Sequence, residues 1–147
     1  MAEVETVLVV GGGIAGLTLA RALRGHGFTV ELVERSTAWR AEGGGIAVQP
    51  NGMRMLRALG LDAAVERAAA RIRRWHFCDQ AGEILSESDL EVLWGHAGPC
   101  VGIERTKLQG ALLPGVAHVR CRLGTEVTSL VQNDAHVSVG FHAKLRT

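Results

Sequence analysis

Along the first third of the chain the apolar positions change period twice. Thr6-Val-Leu-Val-Val10 is an unbroken β-branched and apolar run bounded by glycine, the pattern of a strand buried on both faces of a parallel sheet. From Ile14 to Arg24 the period becomes helical, with Ile14, Leu17, Ala22 and Leu23 facing inward and Thr18, Arg21 and Arg24 outward. Gly25 and Gly27 end that helix, and arginines fill its last turns, where the helix dipole favours cations. Phe28 to Val33 returns to strand character and stops at Glu34. A right-handed crossover makes the two strands parallel, so the pattern predicts an α/β fold with a β-α-β start.

Beyond a glycine-rich stretch from Glu42 to Gly52, Pro50 and Asn51 open a helix with Met53, Leu56 and Leu59 inward and Arg54 and Arg57 outward. Gly60 closes it, and Asp62 is expected to cap a short helix through Ala70. Residues 71–79 and 83–93 read as two strands about the turn Gln80-Ala81-Gly82. Arg105 to Leu113 reads as a helix stopped by Pro114-Gly115, and Val116 to Arg122 as a strand. Glu126 to Val131 and His136 to Phe141 form a hairpin about Asn133-Asp134. No repeat or linker interrupts the 147 residues, a length that suits one domain, 1–147.

Composition narrows the function classes. Hydrophobic residues are 47% and charged residues 21%, ordinary for a globular protein. A net charge of +1 recruits neither nucleic acid nor an anionic membrane surface. The run from Val7 to Ala20 is too short for a membrane span of about 20 residues, and Glu3 and Glu5 stand where a secretory signal carries positive charge. Three cysteines without a C-x-x-C pair argue against a disulfide framework and fit the reducing cytoplasm. The six histidines form no metal-binding pattern, so no metal is expected. Ser86 and Ser88 lie outside any nucleophile elbow, and Cys100 beside Pro99 reads as a small buried hydrophobe.

Gly11-Gly12-Gly13-Ile14-Ala15-Gly16 satisfies G-x-G-x-x-G. In a chain with 19 glycines that pattern alone carries little, but here a strand ends before it, a helix begins within it and an acid ends the next strand. Gly11 permits the tight turn, Gly13 leaves room for a pyrophosphate, and Gly16 lets helix and sheet approach. Amides near Ile14 and Ala15 point at the phosphates from the positive end of the helix. Glu34 follows Gly16 by 18 residues, against roughly 20 for a ribose-binding acid. Its carboxylate accepts both ribose hydroxyls and repels a 2′-phosphate, which points to FAD or NAD rather than NADP. The bland alternative is a tightly packed glycine helix beside a solvated acid.

The choice between those cofactors comes from a resemblance. Val7-Leu-Val-Val-Gly-Gly-Gly-Ile-Ala-Gly-Leu17, Val33-Glu-Arg35, Gly45-Ile-Ala-Val-Gln-Pro-Asn-Gly52 leading into Leu56-Arg-Ala-Leu-Gly-Leu61, and Ile103-Glu-Arg-Thr-Lys-Leu108 stand in order. Together they resemble the group A flavoprotein monooxygenases of the para-hydroxybenzoate hydroxylase type, over nearly the whole chain. The resemblance implies a Rossmann-like FAD-binding fold with an incomplete parallel sheet plus a β-hairpin. It also implies that Glu34 and Arg35 flank the adenosine ribose, that the loop around Ala47 passes near the flavin, that Arg105 reaches the FAD and that backbone at Val127 touches the adenine end. In such enzymes NAD(P)H reduces the flavin, and O₂ supplies the oxygen transferred to a small, often aromatic substrate.

Arg105 has an argument of its own, because a cation in a helix's first turn is disfavoured by about 0.3–1 kcal/mol unless an anion sits there. Its bland alternative is a surface pair with Glu104. Arg40 reads more simply as a solvated loop residue than as a phosphate ligand, and Arg71, Arg73 and Arg74 as a solvated strand end. The family continues into an Asp-Gly strand, a later Gly-Asp motif and a substrate-covering sheet, for which this sequence has no counterpart. The chain is therefore expected to be the N-terminal FAD-binding portion of a monooxygenase, truncated or frameshifted and incompetent alone, with no assignable catalytic residue. Its first strand should present an open apolar edge that promotes self-association. An NAD-linked dehydrogenase domain, and a non-catalytic dinucleotide-binding or subunit-interaction module, are the competing readings.

Overall fold

A computed structural model describes residues 4–39 and 43–143. In chain order the elements are β1 (Thr6–Val10), α1 (Ile14–Leu23), β2 (Thr29–Glu34), β3 (Gly45–Val48), α2 (Pro50–Ala58) and α3 (Asp62–Ala68). There follow β4 (Ala70–Ile72), β5 (Arg74–Cys78), β6 (Ile84–Asp89), α4 (Leu90–Trp94), β7 (Cys100–Glu104) and α5 (Arg105–Leu112). The last three are β8 (Arg120–Leu123), β9 (Thr125–Gln132) and β10 (Val137–Ala143). Two compact units result, the first within Met1–Ala41 and Leu112–Thr147, the second within Glu42–Ala111.

The first unit is built on a parallel sheet of order β1-β2-β8. Thr6 to Val10 pair in step with Thr29 to Val33, and Glu31 to Glu34 pair with Arg120 to Leu123. The β-α-β start is as the periodicity predicts, and the sheet is parallel. Leu17 and Ala20 of α1 are fully buried; Val9 and its register partner Leu32 are buried on one face of the sheet, and Val33 on the other. Ala20, three residues after Leu17, takes an inward place the sequence pattern did not assign to it. Gly27 at φ +80 turns the chain back toward β2. Glu31 braces β2 to β8 through Arg122 at 2.7 Å and Arg120 at 3.3 Å, and the Arg122 guanidinium lies 5.3 Å from the ring centre of Phe141. The predicted hairpin is β9 and β10, antiparallel, with a bulge between Gly140 and Phe141.

Burial of β1 differs from expectation. Val9 faces α1 and is 4% exposed, but Val10, on the opposite face, is 60% exposed, and Val7 and Leu8 are half-buried. An apolar run reads the same whether one face or two is covered; here α1 covers one. Among the described residues β1 has a strand neighbour on one side only, β2.

The second unit joins an antiparallel sheet of order β3-β7-β4 to a two-stranded β5-β6 hairpin. Met53 and Leu56 of α2 and Val65 of α3 are buried, with Arg54 and Arg57 outward, as the helical spacing predicts. Pro50 occupies the first turn of α2, where its missing N–H costs nothing, and Gly60 at φ +70 ends it.

Four local expectations are corrected. Asp62 is the first residue of α3 and does not cap it; its carboxylate instead takes Arg57 Nε at 2.9 Å, which holds that carboxyl below its usual value. Residues 90–94 form α4 rather than extending β6, because Asp89 Oδ1 caps it by accepting from Glu91 N and Val92 N at 2.9 and 3.1 Å. The 71–79 strand is divided, β4 pairing with β7 and β5 with β6, and the Arg73 carbonyl between them accepts from Leu90 N at 2.8 Å. Residues 113–116 wind as a 3-10 turn around Pro114, which delays β8 to Arg120. The strand β7 had no counterpart in the periodicity reading. Arg71 and Arg73 meet Glu91, and Arg74 meets Glu87, all at exposed positions, so the basic cluster is a solvated strand end.

Candidate dinucleotide-binding site

Each glycine of the β1–α1 turn has a different physical reason. Gly11 sits at φ +99, a region L side chains rarely adopt, and its N–H donates to the Val33 carbonyl at 2.8 Å, tying the turn to β2. A Cβ on Gly16 would strike the Gly11 carbonyl oxygen and come within 3.3 Å of Val9 Cγ1, so close helix–strand packing excludes it. Gly13 is unlike both. Its backbone, φ −74 and ψ −176, is open to any residue, and a Cβ there would meet no heavy atom within 4 Å. Nothing among the described residues requires glycine at this position, and its backbone lies open beside the turn.

Gly13 is also the N-cap of α1, with no side-chain hydrogen bond to the helix end, and the first intrahelical bond runs from Leu17 N to the Gly13 carbonyl at 3.0 Å. The amides of Ile14, Ala15 and Gly16 precede that bond, which gives this turn the donor set an anion takes at a helix N-terminus. Ala15 is exposed on the first turn.

Glu34 closes the other side. At the end of β2 its Oε2 accepts from Gly12 N at 2.6 Å and its Oε1 from Ser36 N at 2.8 Å. Burial pushes the carboxyl up, but the N–H groups of Ser36 and Gly12 outweigh it, and the group is held below its usual value as a carboxylate. Each oxygen keeps a lone pair for a further donor, as two vicinal ribose hydroxyls require. The solvated-acid alternative does not hold, since Glu34 is half-buried and doubly hydrogen-bonded. Arg35, beside it, is exposed. Val127 is half-buried in β9, paired with Phe141.

Ala47 and Arg105 belong to the second unit, where one corner gathers them. Ala47 pairs with Gly102 and Gly45 with Glu104, so the start of α5 lies beside the Gly43-Gly44 backbone. Arg105 N donates to the Gly44 carbonyl at 3.2 Å, and a Cβ on Gly43 would lie 3.2 Å from Arg105 Cδ. Glu104 pairs with Lys107 at 2.7 Å rather than with Arg105, which is exposed and makes no ion pair among the described residues. An open cleft of about 590 Å³ adjoins, lined by β3 residues 45–47, Ala68 to Ala70, and Gly102 to Glu104 with Lys107. Arg40 lies outside the described residues. Cys100 is 3% exposed, and burial pushes its thiol up, away from nucleophilic use.

Sequence reasoning missed Gly12, Ser36 and Trp39. The middle position of G-x-G is ordinarily free, yet a Cβ on Gly12 would lie 2.5 Å from Trp39 Cζ3 and 3.3 Å from Glu34 Cβ. Three glycines in a row were the available signal.

A parallel β-α-β unit with a glycine turn and an acid after its second strand defines a dinucleotide-binding α/β protein. The family described as the FAD binding domain matches residues 4–146, and the chain belongs to it, with FAD as cofactor. It is 37% identical over 123 residues to an aurachin C monooxygenase/isomerase of Stigmatella aurantiaca, covering 83% of this chain and 32% of that protein. Among solved structures it is similar to Klebsiella pneumoniae HpxO complexed with FAD and uric acid, at TM-score 0.76 and 27% identity over 93% of this chain and 35% of that one. The fold is shared with p-nitrophenol 4-monooxygenase PnpA of Pseudomonas putida, at TM-score 0.83 and 22% identity over 96% and 37%. The chain thus spans about a third of the length of the relatives it matches. No helix among the described residues is long and apolar enough to cross a membrane.

Proposed function

We propose that this chain, as the N-terminal portion of an FAD-binding domain over 1–147, holds the cofactor of an NAD(P)H- and O₂-dependent monooxygenase acting on a small-molecule substrate. When bound, FAD supplies the electron transfer and oxygen chemistry; the protein supplies orientation and exclusion of water. In this reading Gly11, Gly13, Ala15 and Gly16 cradle the pyrophosphate, Glu34 and Arg35 hold the adenosine ribose, and Val127 borders the adenine. Ala47 backs the flavin side, and Arg105 meets a cofactor oxygen with a guanidinium that no acid of the described residues neutralises. The observation that carries the reading is the clear space at Gly13 beside a carboxylate fixed by two backbone amides.

The visible spectrum of the purified protein tests it. Bound FAD absorbs at about 370 and 450 nm, the chromophore being the cofactor's own. A colourless protein that gains no such bands on incubation with FAD overturns the reading. Three free cysteines suit a reducing cytoplasm, where we place the protein. Among the described residues β1 is paired on one side only, and with Val10 exposed that edge favours self-association; a monodisperse monomer in light scattering at moderate concentration refutes that part.

A further inference from the structure

We infer that Trp39 is a positioning residue for the cofactor, clamping the Gly12–Glu34 hydrogen bond so that the carboxylate faces the ribose. The inference rests on Glu34 being the ribose acid. After β2 the chain bends back through residues 35–38, and two bonds fix the bend. Ser36 N donates to Glu34 Oε1 at 2.8 Å, and the Ser36 carbonyl accepts from Gly124 N at 2.8 Å. The bend returns Trp39 over the glycine turn, where its six-membered ring reaches the position a Gly12 Cβ would take, at 2.5 Å. Glu34 Cβ and Cγ approach the same point at 3.3 Å. Ring, glycine and carboxylate stem therefore fill one spot, and the 2.6 Å bond from Gly12 N to Glu34 Oε2 lies beside it.

A half-buried indole at that spot does two things. It excludes water that would compete for a charge-assisted hydrogen bond, which is stronger in drier surroundings. It also fills the space at Gly12 into which the Glu34 stem would otherwise shift, which holds the carboxylate on Gly12 N and Ser36 N. Neither effect needs Trp39 to touch the ribose; it acts through Glu34.

The test is a double-mutant cycle on the full chain, with FAD affinity followed by quenching of flavin fluorescence and folding by far-UV circular dichroism. Trp39→Ala should raise the FAD Kd about tenfold, which is about 1.4 kcal/mol. Trp39→Phe, which keeps a flat ring at the contact, should restore affinity to within about threefold of the parent. In a Glu34→Gln background, where the charged acceptor is gone, Trp39→Ala should change the Kd by less than about twofold. An equal loss in both backgrounds, or parent-like affinity for a folded Trp39→Ala, overturns the inference while leaving Glu34 as the ribose acid. Parent-like affinity in Glu34→Gln overturns the ribose reading itself. Failure of Trp39→Ala to fold leaves Trp39→Phe and Trp39→Leu to decide: a leucine as good as phenylalanine refutes the clamp.

Discussion

Gly13→Ala places a methyl group where no heavy atom of the chain comes within 4 Å, on backbone that any residue adopts. Stiffening the unfolded chain stabilises by about 0.4–1 kcal/mol, and exchanging glycine for alanine at an N-cap costs a similar amount. The variant should melt within about 2 °C of the parent. If the clear space seats the pyrophosphate, the same methyl overpacks the ligand by about 1–3 kcal/mol, a rise in FAD Kd of about 5- to 150-fold. Gly16→Ala supplies the contrast. Its methyl meets the Gly11 carbonyl, with the carbonyl carbon at 3.1 Å and Val9 Cγ1 at 3.3 Å, and backbone cannot step aside. A cost near 3 kcal/mol lowers the melting temperature by about 6–12 °C. Thermal unfolding by circular dichroism and FAD titration by fluorescence read the two variants side by side. A Gly13→Ala protein that keeps its FAD Kd within twofold refutes the phosphate seat, and a Gly16→Ala protein that melts with the parent refutes the packing argument.

Three further variants have expected outcomes. Glu34→Gln removes a charged acceptor worth about 1.5–3 kcal/mol per hydrogen bond, so FAD affinity should fall about tenfold or more in the same titration. Because the folded carboxyl lies below its usual 4.5, its contribution to stability is whole above that pH and lost as pH falls through the lower folded value. Melting profiles from neutral to acid pH should thus fall more steeply for the parent than for Glu34→Gln, and parallel profiles count against the carboxylate clasp. Arg105→Ala, at an exposed side chain without an ion pair among the described residues, should leave the melting temperature unchanged while weakening FAD, and an unaltered Kd removes it from the site. Asp89→Ala deletes the cap of α4 at about 1 kcal/mol, lowering the melting temperature by about 2–4 °C with FAD affinity intact.

Local rules served well where one periodicity acted alone. The run 6–10, the helix from Ile14 and the hairpin about Asn133 are set by neighbours in sequence, and the structure places them where the pattern does. Glu34 was legible because strand length and crossover length fix its distance from the glycine turn. What was hidden depends on partners far along the chain. Only the β7–β4 pairing separates Ala70–Ile72 from the strand that follows, and Cys100–Glu104 carries no alternation because side chains on both of its faces are buried, Cys100 on one and Val101 and Ile103 on the other. The burial of β1 was misjudged for the related reason that apolar character does not reveal whether a second layer is present. Asp89 could have been recognised as a cap, being a short acid just before Leu-Glu-Val-Leu, but the strand pattern running into it concealed the change. Trp39 and Ser36 carry no motif, since their roles arise from a bend that folds the chain back onto Gly12.

The order of strands in the first sheet has a consequence for synthesis. β2 finds its second neighbour only at Arg120, after the whole of the second unit has been made. A chain leaving the ribosome can complete the intervening unit while the outer side of β2 still waits, and the Glu31 brace forms only when Arg120 and Arg122 emerge. Joining residues some ninety apart is slow compared with local pairing. The nascent nucleotide-binding half therefore has a vulnerable interval in which chaperones, or ribosomal pausing near residue 120, should matter most.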